Sequence, residues 1–376
     1  MVRRRRLLAA MVGAVPGAVL TTGTARARVP GARAAQWETL AVPGGAPAAQ
    51  LRRISAAGPQ LAWAVGEQAR SGPSQGRALA VHRNGSGWAE TDLSHLNYSG
   101  RLSDVAAGPG SAWCVGLPAG GASPLLRWDG TTWQPAAFPG SGEPDLRLHS
   151  VAVGPDGRVW VGGSRGGAAR LLCGDGTTWR WLDPLPGSGA SLYRVVAGAA
   201  GEVWVCGDLP TGSGWSGLAA RWNGTWTVLP TIGGLRLSIG DLHVAGPGDI
   251  WAVGTEAGVG GPPGRPGSPV LRHFDGTAWT AADPGFTAGA LTGIAGDAQG
   301  RAAWISGWNY HDQTRSTHLH REGAGWTAVR GPAGAAPAPY LNDVTAVPGT
   351  SEFWSVGLTS PTPAPPTTAY AERFAG

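Results

Sequence analysis

Two interleaved tryptophan series run through this chain, and one of them is displaced by a single element relative to the ends. The first sits in short apolar segments: Trp63-Ala-Val-Gly66, Trp113-Cys-Val-Gly116, Trp160-Val-Gly-Gly163, Trp204-Val-Cys-Gly207, Trp251-Ala-Val-Gly254, Trp304-Ile-Ser-Gly307 and Trp354-Ser-Val-Gly357. Successive members lie 44 to 53 residues apart, near the length of a four-stranded propeller repeat. The second series, Trp88, Trp133, Trp179, Trp226, Trp279 and Trp326, falls later in each copy, but no member follows Trp354. Its counterpart stands at the other end of the chain, in Gln36-Trp37-Glu38-Thr39-Leu40. A ring accounts for that displacement, because an N-terminal segment can supply the outer strand of the last sheet and remove the open seam.

Each copy reads as four short strands. Leu102-Ser-Asp-Val-Ala-Ala107 is followed by Gly108-Pro-Gly110, then Ala112–Gly116, Pro124–Trp128, the turn Asp129-Gly130 and a last segment starting at Trp133. Apolar runs of Trp, Val and Leu between Gly, Pro and Asp-Gly signals form strands rather than helices. Asp175-Gly176, Asn223-Gly224 and Asp275-Gly276 repeat the hairpin signal, and Asn84-Gly85 and Glu322-Gly323 are looser versions. The fifth copy sets Asp241 one residue further from its turn than Asp104, which predicts a local irregularity there, a bulge or a loop that absorbs the extra residue. The expected fold is an all-β, seven-bladed β-propeller of four-stranded antiparallel blades over residues 35–376, closed by the N-terminal strand.

The leader and the remainder carry charge differently. Arg3–Arg6, an apolar segment from Leu7 to about Leu20 broken by Pro16, and the small-residue runs Ala25-Arg-Ala27 and Ala32-Arg-Ala34 have the form of a signal peptide over residues 1–34. Its paired arginines before Leu7-Leu8 resemble a twin-arginine type. The apolar stretch is short for a membrane span, so the mature chain is expected to lack a transmembrane domain and to be secreted or held at the cell surface. Lysine is absent, and seven of the 29 arginines lie in residues 1–34, leaving 22 against 24 Asp plus Glu. The formal charge of +5 therefore belongs to the leader, and the mature chain has no basic balance suited to nucleic acid. Three cysteines are too few for a disulfide scaffold; Cys173 and Cys206, in adjacent copies, can pair, or all three are small buried thiols.

Turns between the first and second strands and between the third and fourth are short, whereas the other connections are long and unlike one another. In a meander the two long sets emerge on one face, which is where variable loops on a regular scaffold build a site. Trp308-Asn309-Tyr310-His311-Asp312 is the leading candidate, since Trp308 and Tyr310 can stack on a ring while Asn309 and Asp312 supply hydrogen bonds. Asp208 with Trp215, Glu256, His95 with Tyr98, and Glu143 with Asp145 are further candidates. A glycosidase needs two carboxylates across a bond, and Asp145, Asp208, Glu256 and Asp312 are the loop residues able to provide them. His318-Leu-His320 has metal-like spacing, but His320 falls where Arg127, Arg221 and His273 stand, before the hairpin turn, which marks a polar sheet edge. Asp104, Asp241 and Asp343 recur in first strands at positions where Arg53, Ser150, Arg194 and Gly293 stand elsewhere, and are expected to make structural hydrogen bonds. No cofactor or metal is implied.

The pattern Leu102-Ser-Asp-Val-Ala-Ala107, Trp63-Ala-Val-Gly66 and Leu125-Leu-Arg-Trp-Asp-Gly-Thr131 followed by Trp133 resembles secreted actinobacterial repeat proteins with sialidase-like or galactose-oxidase-like propellers, over residues 36–376. The resemblance implies architecture rather than an activity. Asp129-Gly-Thr-Thr-Trp133 lacks the leading Ser and the spacing of a sialidase Asp-box, and neither an arginine clamp nor a copper-ligand set is placed by motif. The expected role is noncatalytic recognition of a glycan, cell-wall component or protein by the long-loop face; the alternative is a carbohydrate-active hydrolase or lyase using loop carboxylates. A fold carries little functional information by itself.

Overall fold

A computed structural model describes residues 36–376 except 73–74, 86, 97, 109, 120–122, 188, 199–200, 259–265, 335–337 and 361–365; the expected signal at 1–34 lies outside the described residues. Within them, 28 strands form five four-stranded sheets and one eight-stranded sheet. The larger sheet is two meanders joined only where Arg77 pairs with Ser99.

One unit shows the construction. Ser99–Gly108 pairs antiparallel with Ser111–Ala119, which pairs with Leu125–Trp128, which pairs with Trp133–Pro135. The last turn is held by Asp129, whose Oδ1 accepts the Thr131 and Thr132 amides at 2.8 Å each, while Gly130 takes φ 105°. In the sheet formed by the end of the chain, the outer position belongs to Gln36–Thr39, with Trp37 opposite Phe374 and Thr39 opposite Glu372. The extra residue of the fifth copy is absorbed by a register shift between Val244 and Gly246, beside the turn.

The first strand of each unit touches the first strand of the next, and Pro339–Ala346 touches Gln50–Gly58, so contact runs from the last unit back to the first. Between units lie the two tryptophan series. Trp113 meets Trp179 edge-on at 5.4 Å, Trp251 meets Trp326 at 5.3 Å, Trp304 meets Trp37 at 5.3 Å, and Trp354 meets Trp88 at 5.6 Å. Each pair takes one ring from a second strand and one from the outer strand of the following unit. The clusters around them are almost wholly Leu, Val, Ile and Ala, so the core is a set of inter-sheet wedges. Truncating one such buried ring to alanine costs about 3–5 kcal/mol.

The same tryptophans are covered across the strand pair. His82 stacks on Trp63, His273 on Trp251 and His320 on Trp304, while Arg127 and Arg221 lie over Trp113 and Trp204. His318 does something different. It is fully buried, stacks on Trp37 at 3.6 Å and pairs through Nε2 with Glu372 at 2.8 Å; Glu372 also accepts the Ser316 and Tyr370 hydroxyls. Burial lowers the His318 pKa despite the opposing pull of Glu372. Cys114, Cys173 and Cys206 are free and buried, so Cys173 and Cys206 are not paired. No helix among the described residues is long and apolar enough to cross a membrane.

Candidate functional site

Every first strand slips register at the same place: after Leu51, Leu102, Leu148, Leu192, Ile239, Leu291 and Leu341. The residue across from that aliphatic position is the glycine of Trp-x-x-Gly, as in Leu51–Gly66 and Leu192–Gly207. A Cβ on Gly66 would lie 2.0 Å from the Gln50 carbonyl oxygen, and one on Gly207 1.8 Å from that of Ser191. The repeated glycine therefore makes room for a bulge that pushes the first-strand backbone toward its neighbour.

Each bulge presents two successive residues, with Gly240 at the first position of the fifth unit and Gly293 at the second position of the sixth. At the second position Arg53, Asp104, Ser150, Arg194, Asp241 and Asp343 face inward and bond one another or a neighbouring backbone. Asp343 accepts the Ile54 amide at 3.0 Å and Arg53 Nη1 at 3.1 Å. Asp104 accepts the Val151 amide at 3.1 Å, the Ser150 hydroxyl, and Arg194 Nη1 at 2.9 Å; Ser150 in turn accepts the Val195 amide at 2.9 Å. Asp241 pairs with Arg194 Nε at 3.0 Å and accepts the Ile294 amide at 3.3 Å, and Arg53 Nη2 donates to the Gly240 carbonyl at 3.1 Å. These side chains staple one first strand to the backbone of the next. The three carboxylates are at most 1% exposed. Burial pushes Asp343 up to about 6 against the attraction of Arg53 and Arg194. For Arg194, burial lowers the pKa but Asp241 and Asp104 more than offset it, holding it well above the ordinary value.

The first of the two, the unpaired bulge residue, lines a single cavity of about 320 Å³ in every case. On one side stand Arg52, Ser103, His149 and Tyr193, joined by Arg101; on the other stand Gly240, Thr292 and Asn342. The small half is tied down: Thr292 Oγ1 donates to the Leu341 carbonyl at 2.9 Å and Asn342 Nδ2 to that of Leu51 at 2.7 Å. On the large half Tyr193 is anchored by Asp208, whose Oδ2 accepts its hydroxyl at 2.8 Å and that of Ser238 at 3.0 Å, and Trp215 Nε1 donates to Ser238 Oγ at 2.9 Å. Burial and then the Asp208 hydrogen bond push Tyr193 up to about 12. Because first strands begin and second strands end here, this mouth opens on the face of the long connections.

Next to the mouth lies a groove of about 550 Å³ that shares Arg52 and Asn342 with it. Trp308 and Tyr340 line it with ring centroids 5.4 Å apart, Tyr310 stands at its rim 46% exposed, and the Tyr340 hydroxyl donates to Gln313 Oε1 at 2.8 Å. Both cavities fall in the size range of ligand pockets, about 300–1,000 Å³.

The predicted residues are thus distributed unevenly. Trp308 and Tyr310 reach the groove, and Asp208 and Trp215 brace the mouth from behind. Asn309 folds onto its own loop, accepting the His311 amide at 3.0 Å, and His311 is exposed. Asp312 pairs with Arg330 and accepts the Thr314 hydroxyl. Glu256 accepts the Leu235 amide at 3.0 Å. Asp145 is exposed near the Glu143–Arg165 pair, and His95 holds the Trp133 carbonyl at 2.8 Å. Tyr98 is 7% exposed in the core between the first two units, its hydroxyl against Gly116. Missed from sequence were Arg52, Arg101, His149, Tyr193 and Tyr340. The signal that finds the bulge residues is positional: each follows the aliphatic residue that faces the repeated glycine.

No protein-family model matches the chain, and no curated protein matches it. Solved structures do. A catalytically inactive virginiamycin B lyase from Staphylococcus aureus with quinupristin is 11% identical, with 91% of this chain and 100% of that chain covered and a TM-score of 0.62. YCF48 bound to D1 peptide is 14% identical, with 90% and 97% covered and a TM-score of 0.57. A GH74 enzyme from Niastella koreensis is 16% identical, with 82% of this chain and 50% of that chain covered and a TM-score of 0.51. The chain has the β-propeller fold.

Proposed function

We propose that this protein is an exported, seven-bladed recognition propeller that binds a glycan, cell-wall component or protein through its long-loop face, without catalysing a reaction. The signal-like residues 1–34 support export, with the mature chain secreted or retained at the cell surface. Seven bulged first strands contributing to one mouth support the blade count. The observation that carries the functional reading is the shape and chemistry of that face: a polar mouth continuous with an aromatic groove, together large enough for several sugar rings or a short peptide. Trp308 and Tyr340 supply stacking surface, and Gln313, Asn342 and Arg52 supply directional hydrogen bonds.

The hydrolase or lyase reading asks for a positioned pair of carboxylates in that space. The four loop carboxylates suited to it, Asp145, Asp208, Glu256 and Asp312, line neither cavity, and three of them are engaged by hydroxyls, a backbone amide or Arg330. The test is a binding screen of the purified protein against polysaccharides, cell-wall fragments and peptides, repeated with Trp308→Ala and Tyr340→Ala. Loss of binding without loss of folding is the expected result, whereas an unchanged ligand in both variants removes the groove from the reading.

A further inference from the structure

The large half of the mouth holds positive charge that its own surroundings leave unbalanced. Arg52 lies 3.3 Å from Glu67, but that carboxylate is also bound by Gln50 and lies 3.9 Å from Arg70. No carboxylate pairs with Arg101 among the described residues. Its charge reaches both Arg52 and His149, and after burial itself it is the largest cause lowering the proton affinity of each; Arg147, two residues before His149, acts on it in the same direction. The acids beneath are committed: Asp104, Asp241 and Asp343 to Arg53, Arg194 and backbone amides, and Asp208 to Tyr193 and Ser238. Like charges in a half-buried cavity repel several times more strongly than in bulk water. An anion seated between them removes that repulsion and gains charge-assisted hydrogen bonds.

We propose that this half of the mouth binds a carboxylate, with Arg52, Arg101 and His149 as its donors, and that the carboxylate belongs to an acidic sugar. The guanidinium fork matches a carboxylate in plane and spacing. The sugar assignment rests on recognition through the long-loop face. Arg52 and Asn342 line both the mouth and the groove, so one ligand can place its charge among the arginines and an apolar ring face on Trp308 and Tyr340. Other lining groups, Thr255, Thr292, Ser238 and Asn342 among them, carry hydroxyls and an amide, the partners a ring rich in hydroxyls requires. A hexuronate carries all three features in one residue.

The experiment titrates the protein calorimetrically with tetragalacturonate and with its methyl ester, which keeps the sugar and removes the charge. The free acid is expected to bind about ten- to a hundredfold more tightly. Arg101→Ala is expected to abolish that difference and leave the ester's affinity unchanged, while Trp308→Ala weakens both. Equal affinity of acid and ester overturns the carboxylate site and leaves sugar binding standing. Absence of binding by either oligomer at millimolar concentration overturns the proposal without touching a Trp308-dependent ligand found by the screen. Arg101-dependent capture of a peptide's terminal carboxylate, with neither oligomer bound, overturns the assignment to a sugar.

Discussion

Arg52 and Arg53 are neighbours in the chain, lie on the same bulge and point into the same axial space, yet their surroundings are opposite. Arg53 is 13% exposed and joined to Asp343, Asp241 and the Gly240 carbonyl. Arg52 is 31% exposed, shares one carboxylate with another arginine and lines the same half of the cavity as Arg101. The difference holds over the large half of the mouth: the inner position holds the units together and the outer one, a single residue earlier, faces the cavity, whereas Thr292 and Asn342 of the small half also bond the backbone of the next unit. Neighbouring positions on one bulge can thus serve stability and recognition separately, because the bulge aims both at the axis at different depths.

Four measurements break or sharpen that contrast. Asp104→Ala removes the acceptor for a buried amide, a hydroxyl and Arg194, and leaves that guanidinium short of a partner. A loss of about 3–5 kcal/mol in urea unfolding is expected. Asp343 supplies a pH signature of the inner ring. Its folded pKa, about 6, lies above its unfolded value, so the folded protein takes up the proton more readily. Its contribution to stability is therefore full below about pH 4 and is lost as pH rises to about 6, by no more than about 3 kcal/mol. Subtracting the Asp343→Asn stability curve from that of the wild type isolates this slope. It also separates it from His318, whose lowered pKa acts the other way, costing stability as the pH falls below about 6.5.

Gly207→Ala joins the two rings, since its Cβ would press on the Ser191 carbonyl and displace the bulge that carries Tyr193 and Arg194. About 1–3 kcal/mol of destabilisation is expected by thermal or chemical unfolding, with Tyr193 fluorescence or chemical shifts altered as well. Arg101→Ala is the smallest effect. A stability change within about 0.5 kcal/mol is expected from calorimetry, and a larger loss would mean that Arg101 has a structural role as well.

The strand pattern was legible because it rests on local chemistry. Asp129-Gly130 needs a carboxylate and a positive φ, and the tryptophans need neighbours of the same kind, so both leave a repeated trace. The same reasoning makes the segment with Trp37 the outer strand of the last sheet, and the structure pairs Trp37 with Phe374 there. The inner-ring acids were also visible, since Asp104, Asp241 and Asp343 recur. The outer ring was not, because its members differ in every copy and owe their common direction to a bulge. Even so, the bulge leaves its mark in the glycine of Trp-x-x-Gly, whose spacing alone does not say which strand it faces. Tyr340 meets Trp308 across two units, a contact no local spacing encodes.

The pairing of Gln36–Thr39 with Thr368–Ala375 has a consequence in time. A ribosome adds about 5–20 residues per second, so Trp37 waits roughly 20 to 70 s for the residues it will cover. Until then its ring, the Trp304 face and the partners of Glu372 are open to other chains. Cleavage near residue 40 after folding would recreate that state, baring the edge of Thr368–Ala375 and inviting a foreign strand to take the vacant place.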